Sequence, residues 1–192
     1  MPLTIKRYPF YVGIATLIVF IVVVLTGLFL WISHRESKIA AFQMADLTLA
    51  PHTRNQFEAE LSHEHHAYRN RAKAMLEAYG ERLPPRQVPF PVQAIRFGEQ
   101  VSLVALGGEV VVDYARRIKQ EYASENLIVA GYSNDVMCYI PSVRILREGG
   151  YEAETSMVYY GHPGPFTEEV EETVIETVQR SLARVGIPPQ DK

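Results

Sequence analysis

Val101-Ser102-Leu103-Val104-Ala105-Leu106, then Gly107-Gly108, then the helix-length segment Glu109 to Tyr122, then Leu127-Ile128-Val129-Ala130-Gly131: this stretch decides the fold. Two apolar runs flanking a helical segment give the strand–helix–strand order of a parallel unit. Its crossover is expected to be right-handed. Both strands of such a unit end at one edge of the sheet. Glu109, which would open the helix, and the loop after Tyr132 are therefore expected to meet there, where open α/β sheets place their sites.

Toward the N-terminus, Val92 to Phe97 and Val101 to Leu106 are separated by Gly98-Glu99-Gln100, a hairpin signal. Pro84, Pro85, Pro89 and Pro91 predict an extended approach to it. Between Gln56 and Tyr79, the positions Phe57, Leu61, Tyr68, Ala72, Met75, Leu76 and Tyr79 predict one amphipathic helix, ended by Gly80. Residues 33–55, with Pro51 and no clear period, read as a linker. Toward the C-terminus, Pro141 to Arg147 predicts a short helix closed by Gly149-Gly150, and Ser156 to Tyr160 a β-rich piece. A final helix is expected from Glu168 to about Arg184, with Thr167 as N-cap and acidic residues in its first turn.

The chain has 192 residues, one domain's worth. Phe10 to Ile32 carries no charge, and its 23 residues would make a helix of roughly 34 Å against a hydrocarbon core of about 30 Å. A cleaved signal peptide has an apolar region of about 7–15 residues before small residues. This one ends in Leu30-Trp31-Ile32-Ser33-His34-Arg35, which predicts an uncleaved transmembrane helix with Tyr8, Tyr11 and Trp31 near its ends. Lys6, Arg7 and the α-amino group precede it and Arg35 and Lys38 follow, so the N-terminus is expected in the cytoplasm and the globular part outside. From Ser33 onward there are 17 basic residues (the chain's 19 less Lys6 and Arg7) against 22 acidic ones. No strong basic field exists for nucleic acid. The single cysteine, Cys138, excludes an internal disulfide and a thiolate zinc site.

Glu109 directly follows two glycines. Such a carboxylate either complements a helix dipole, worth about 0.3–1 kcal/mol, or serves as a metal ligand or general base at the mouth of the sheet. The segment Gly131 to Tyr139 gathers polar and aromatic groups at the same edge, although Asn134 and Asp135 also suit a turn that bonds its own backbone. Tyr139 and Tyr151 frame the short helix. Two phenols aimed into one cleft suit a metal or an oxyanion. His63, His65 and His66 do not match the helical metalloprotease pattern, because the position four after His63 is Ala67. His63 and His66 would share a helix face, a solvated polar face or a weak metal site. Cys138 has no neighbouring cation or base and reads as a packed side chain.

Several ordered blocks carry a resemblance: Pro91 to Gly98, Leu106-Gly107-Gly108-Glu109 to Tyr114, Gly131-Tyr132-Ser133-Asn134-Asp135, Tyr139-Ile140-Pro141-Ser142, Glu148-Gly149-Gly150-Tyr151-Glu152 and Tyr160-Gly161-His162-Pro163-Gly164-Pro165. Over about residues 41–185 the chain resembles the C-terminal part of the catalytic domain of neutral/alkaline, non-lysosomal ceramidases. The resemblance implies a hydrolase of sphingolipid metabolism that cleaves the ceramide amide with zinc-activated water. It implies Glu109 and Tyr139 as metal ligands, with Cys138 standing where the family has glycine. It implies Tyr151, twelve positions after Tyr139, as the catalytic phenol at the reacting carbonyl, and Asn134 as a substrate-binding residue beside them. The family's zinc histidines and its Gly-Asp-Val-Ser motif belong to an upstream region with no counterpart here. The implied Zn2+ shell is thus incomplete, the implied partners are a ceramide-like membrane lipid and a separate chain bearing the histidines, and the chain alone is expected to be inactive. The fold expected is α/β: a tail (1–9), a transmembrane helix (10–32), a linker (33–55) and a partial ceramidase-like domain (56–187) with a mixed sheet, hairpin plus βαβ unit, and flanking helices. The alternative is a non-catalytic, membrane-anchored lipid- or protein-binding module on that scaffold.

Overall fold

In the computed structural model, which describes residues 40–79, 82, 84–123 and 126–188, the strands are β1 (Ala40–Thr48), β2 (Gln87–Phe97), β3 (Val101–Leu106), β4 (Glu109–Val110), β5 (Leu127–Ala130) and β6 (Tyr139–Ile140). The helices are α1 (Arg54–Glu60), α2 (His66–Tyr79), α3 (Val112–Glu121), α4 (Val143–Glu148), α5 (Ser156–Tyr159) and α6 (Val170–Arg184), and a π-helical turn covers Tyr151–Thr155. The main sheet runs β1-β2-β3-β5, and β4 and β6 form a separate two-stranded ribbon. β1 to β2 and β2 to β3 are antiparallel, while β3 to β5 is parallel. The expected hairpin and βαβ unit are both present, and the sheet is mixed.

Register follows from which face is apolar and covered. Opposite pairs Ala41 and Ala94, Ala45 and Phe90, Leu47 and Val88, Val92 and Leu106, and Ala94 and Val104 all point to one face. That face is buried against α6, whose Val170, Val174, Ile175, Val178 and Leu182 recur at helical spacing, and against Tyr114 and Ile118 of α3. Burying each such aliphatic side chain is worth about 1.5–3 kcal/mol. The Tyr114 hydroxyl donates to Pro141 O at 2.9 Å, so its polar end is satisfied inside the core, and burial pushes its pKa well above the usual value. The opposite face is also apolar but open: Phe42 and Met44 of β1 are each 52 % exposed, and Phe97 and Ile128 are exposed too.

Several sequence-based expectations need correction. Residues 33–55 are not a plain linker, because Ala40–Thr48 is a nine-residue strand of the main sheet. Its exposed side begins Ala40, Phe42, Met44, as apolar as the inward Ala41, Ala45 and Leu47, while Gln43 falls between the inward positions, so no clean alternation betrays it. β2 extends back through Pro89 and Pro91, which pair only with β1, since β3 joins from Val92 onward. Proline, lacking an N–H, is tolerated along such a one-sided stretch. The helix expected over Gln56–Tyr79 is two helices. α1 begins at Thr53, which forms a capping box with Gln56, and ends at Leu61; α2 begins only at His66. Gly80 lies outside the described residues. Ser156 to Tyr159 is helical rather than extended, continuing the turn that Tyr151 starts. α6 begins at Val170, while the Thr167 N–H donates to Thr48 O at 2.9 Å instead of Thr167 capping the helix.

The transmembrane expectation is also corrected. No helix among the described residues is long and apolar enough to cross a membrane. The longest, α6, has 15 residues, roughly 22 Å, and an amphipathic pattern. The segment 10–32 lies outside the described residues, as do the tail 1–9 and residues 33–39. The fold class the structure supports is an α/β domain with a mixed sheet. A single-pass placement with a cytoplasmic N-terminus is not supported.

Candidate functional site

Glu109 is not at a helix N-terminus. It opens β4, and α3 starts three residues later, after Val111 in an extended conformation. The cause is Gly108, whose φ of 64° turns the chain sharply behind β3. A ladder of backbone hydrogen bonds then fixes the edge. Gly107 N–H donates to Pro91 O at 2.9 Å, Gly108 N–H to Asp135 O at 2.8 Å, Glu109 N–H to Cys138 O at 2.9 Å, and Val111 N–H to Ile140 O at 3.2 Å. The carboxyl ends of β3 and β5 are joined by Ser133 N–H to Leu106 O and Tyr132 N–H to Gly108 O, both at 2.9 Å. These bonds bring the loop after β5 against Glu109, as the parallel unit predicts.

The β4–β6 ribbon is parallel with Glu109 directly opposite Tyr139. The neighbouring Glu109 carboxylate holds the Tyr139 phenol well above its ordinary pKa. The same carboxylate pushes Tyr132 up to about 12. Tyr160, at the end of α5, is raised too, by burial first and then by the Glu109 charge. Tyr151 stands edge-on to Tyr139, ring centroids 5.4 Å apart at 75°, and continues to Tyr159 at 6.4 Å. Gly149 and Gly150, with φ of 74° and 96°, redirect the chain out of α4 so that the π-helical turn begins with Tyr151 at the surface, 49 % exposed. π-Helical turns are frequent at functional sites.

Of the four residues expected to act together, Glu109, Tyr139 and Tyr151 form one connected group. Asn134 sits in the exposed turn between β5 and β6 with φ of 67°, a left-handed conformation that asparagine tolerates well. The turn alone accounts for asparagine at this position. Sequence reasoning missed Tyr132 and Tyr160. Tyr132 had a usable signal in its position just beyond the carboxyl end of the second parallel strand. Its φ of 54°, unusual for a bulky residue, had none.

The helix face expected to carry both His63 and His66 is not formed, because the helix begins at His66 and His63 lies before it: His63 Nδ1 accepts from His65 N–H at 3.0 Å, and His65 Nδ1 from Ala67 N–H at 3.3 Å. They cap the turn into the helix. Cys138 is buried, and burial pushes its thiol up to about 12, which leaves it a packed side chain. His162 is engaged through Nε2, which donates to Met137 O at 3.1 Å. Among the described residues no three His, Cys, Asp or Glu side chains gather where they could share an ion. Catalytic zinc takes three protein ligands and keeps one position open. Glu109 and Tyr139 supply two oxygens, so the residues present do not by themselves fit a catalytic zinc. What they do make is a half-buried carboxylate opposite Tyr139 in the ribbon, with the Tyr151 ring edge-on to Tyr139.

No family model, curated protein or solved structure matches this chain.

Proposed function

We propose that this chain carries the Glu/Tyr side of a ceramidase-like amide-hydrolase site and cleaves no ceramide by itself. The observation that carries the reading is the pairing of Glu109 with Tyr139 across the β4–β6 ribbon, with Tyr151 against Tyr139. Three residues that the resemblance implies are thereby neighbours, although 42 positions separate the first from the last. In this reading Glu109 and Tyr139 contribute two metal-directed oxygens, and the half-exposed Tyr151 donates a hydrogen bond to the reacting carbonyl as it gains negative charge. In this reading the imidazoles that complete the shell are supplied from outside residues 40–188.

With added zinc, the full chain alone should hydrolyse ceramide at the rate of buffer. Cleavage abolished both by Glu109→Gln and by His66→Ala would overturn that expectation, because it would show the ligand set completed from within. Co-expression with the product of an adjoining reading frame that bears the histidines should restore zinc-dependent cleavage. In that complex Tyr151→Phe should lower kcat by about 10²–10³. If no histidine-bearing partner restores activity, the hydrolase reading fails.

A second reading, a non-catalytic lipid- or protein-binding module, is favoured by the open apolar sheet face of Phe42, Met44, Phe97 and Ile128. It requires the thermal midpoint to be indifferent to zinc, and a zinc-dependent rise would exclude it.

A further inference from the structure

β1 is an edge strand. In the order β1-β2-β3-β5 only β2 pairs with it, and its other side carries main-chain groups with no strand beside them among the described residues. Beyond the hydrolase reading and independently of it, we propose that this edge pairs antiparallel with β1 of a second copy, about a two-fold axis at Gln43, to make one continuous sheet across a homodimer.

Which groups face the edge follows from the hydrogen bonds at the end of the strand. Leu49 N–H donates to Arg86 O at 2.7 Å in the register of β1 and β2, so the odd-numbered residues of β1 bond to β2 and the even-numbered ones turn their N–H and C=O outward. The prolines agree: Pro89 and Pro91 stand opposite Asp46 and Met44, where β2 needs no N–H toward β1. Thr48 O accepts from Thr167 N–H at 2.9 Å, and Leu49 bridges Phe166, so the chain itself closes the edge from Thr48 onward. Ala40, Phe42, Met44 and Asp46 are left open among the described residues.

Three observations make a second copy the fitting occupant. An edge asks for a strand, and the usual protections against one are absent: Ala40–Thr48 holds no proline or lysine, and its one charge is Asp46. The open stretch is also self-complementary. Centred on Gln43, it sets Phe42 opposite Met44 of the partner subunit and Ala40 opposite Asp46 of the partner subunit, each pair exchanging both main-chain bonds, with the two aspartates apart. Phe42 and Met44 are each 52 % exposed, and this pairing sets a thioether against each ring. Lastly, Gln43 Nε2 is buried without a hydrogen-bond partner among the described residues, and such an orphan calls for an explanation. On the axis Gln43 meets Gln43 of the partner subunit in a pair without main-chain bonds, where side chains lie closest, and each amide can give an N–H to the other's oxygen. An unrelated extended peptide would satisfy the main chain but has no reason to match these side chains.

Sedimentation equilibrium of the full chain, in a density-matched nonionic detergent, should show a dimer at micromolar concentrations. Met44→Pro, which removes an N–H that points away from β2, should weaken the dimer at least about tenfold, whereas Met44→Leu should stay within about twofold of the parent. Under mild oxidation Gln43→Cys should cross-link to its own copy, because such directly opposed residues have Cα atoms about 4.5 Å apart, within disulfide reach. Asp46→Cys, displaced from its copy by about 20 Å along the strand, should not. Near-ultraviolet circular dichroism confirms that each variant is folded; should Met44→Pro unfold, the two cysteine variants decide. A monomeric parent, a Met44→Pro variant that dimerises as the parent does, or Gln43→Cys cross-linking no more than Asp46→Cys would each overturn the pairing. None of these readouts involves zinc or ceramide, so each is distinguishable from a failure of the hydrolase reading.

Discussion

Gly108→Ala should destabilise the protein by about 2–5 kcal/mol and pull Glu109 away from Tyr139. Two costs add. The backbone at position 108 has φ of 64°, where an L side chain costs about 1–2 kcal/mol. A Cβ there would also lie 2.7 Å from Ile140 Cγ1 and 2.9 Å from Cys138 O. Ile140 is fully buried and Cys138 O accepts the Glu109 N–H, so neither can move without opening the ribbon. Overpacking of this kind costs about 1–3 kcal/mol. Gly161 supplies the control, since its φ is 72° but nothing lies within 4 Å of its Cβ position. Gly161→Ala should show the conformational cost alone, and the difference in urea midpoint between the two variants isolates the clash. A Gly108→Ala loss no larger than that of Gly161→Ala would mean that the ribbon is not held as tightly as described.

The second large effect is at Arg71, whose side chain is 1 % exposed on α2. It contacts Glu60 Oε1, lies 3.2 Å from Glu60 Oε2, and sits over the rings of Phe57 and Tyr68. His52 approaches the same carboxylate, Nδ1 to Oε1 2.9 Å, and its Nε2 reaches Glu154 of the π-helical turn at 3.7 Å. The cluster thus clamps the loop after β1, both early helices and the turn that begins with Tyr151. Arg71→Leu should cost about 3–5 kcal/mol, because it leaves Glu60 largely buried without its cation. The double variant Arg71→Leu, Glu60→Leu should recover much of that loss, since replacing both charges removes the desolvation penalty as well as the attraction. Equal losses in the single and double variants would mean that packing, rather than the uncompensated charge, dominates.

What the sequence made legible is the part of the fold set by local pattern. The β3–α3–β5 unit and the hairpin before it could be read from two apolar runs, their glycines and their spacing. From that unit it followed that Glu109 and the segment 131–139 meet, while Tyr151 was marked by the glycines before it and both Tyr139 and Tyr151 by the resemblance. β1 stayed hidden because its partner is about forty residues away and its faces do not alternate cleanly between apolar and polar. The ribbon was missed because two-residue strands carry no periodicity. Gly108 signals a turn, but whether helix or strand follows is decided by the Cys138 and Ile140 carbonyls, which only tertiary structure supplies. Tyr132 and Tyr160 escaped for a related reason: a left-handed tyrosine and a helix-terminal one join a cluster through backbone geometry alone. The break between α1 and α2 was obscured because Phe57, Leu61 and Tyr68 keep plausible helical spacings across a turn capped by imidazoles.

The account rests on one carboxylate, Glu109, gathering phenols from separate segments. Site-resolved titration of carbon-labelled tyrosines tests it most directly. A phenol ionises ordinarily near pH ~10, and a neighbouring carboxylate raises that value because it favours the proton-bearing, hydrogen-bond-donating form. At about pH 11, Tyr132 and Tyr139 should therefore remain mostly protonated in the parent chain. In Glu109→Gln both should fall toward the ordinary value and be mostly ionised at that pH, while Tyr122, which burial and Glu121 push up to about 12, should titrate alike in both proteins. Superposable curves for Tyr132 and Tyr139 in the two proteins would contradict the cluster, and with it the proposed function.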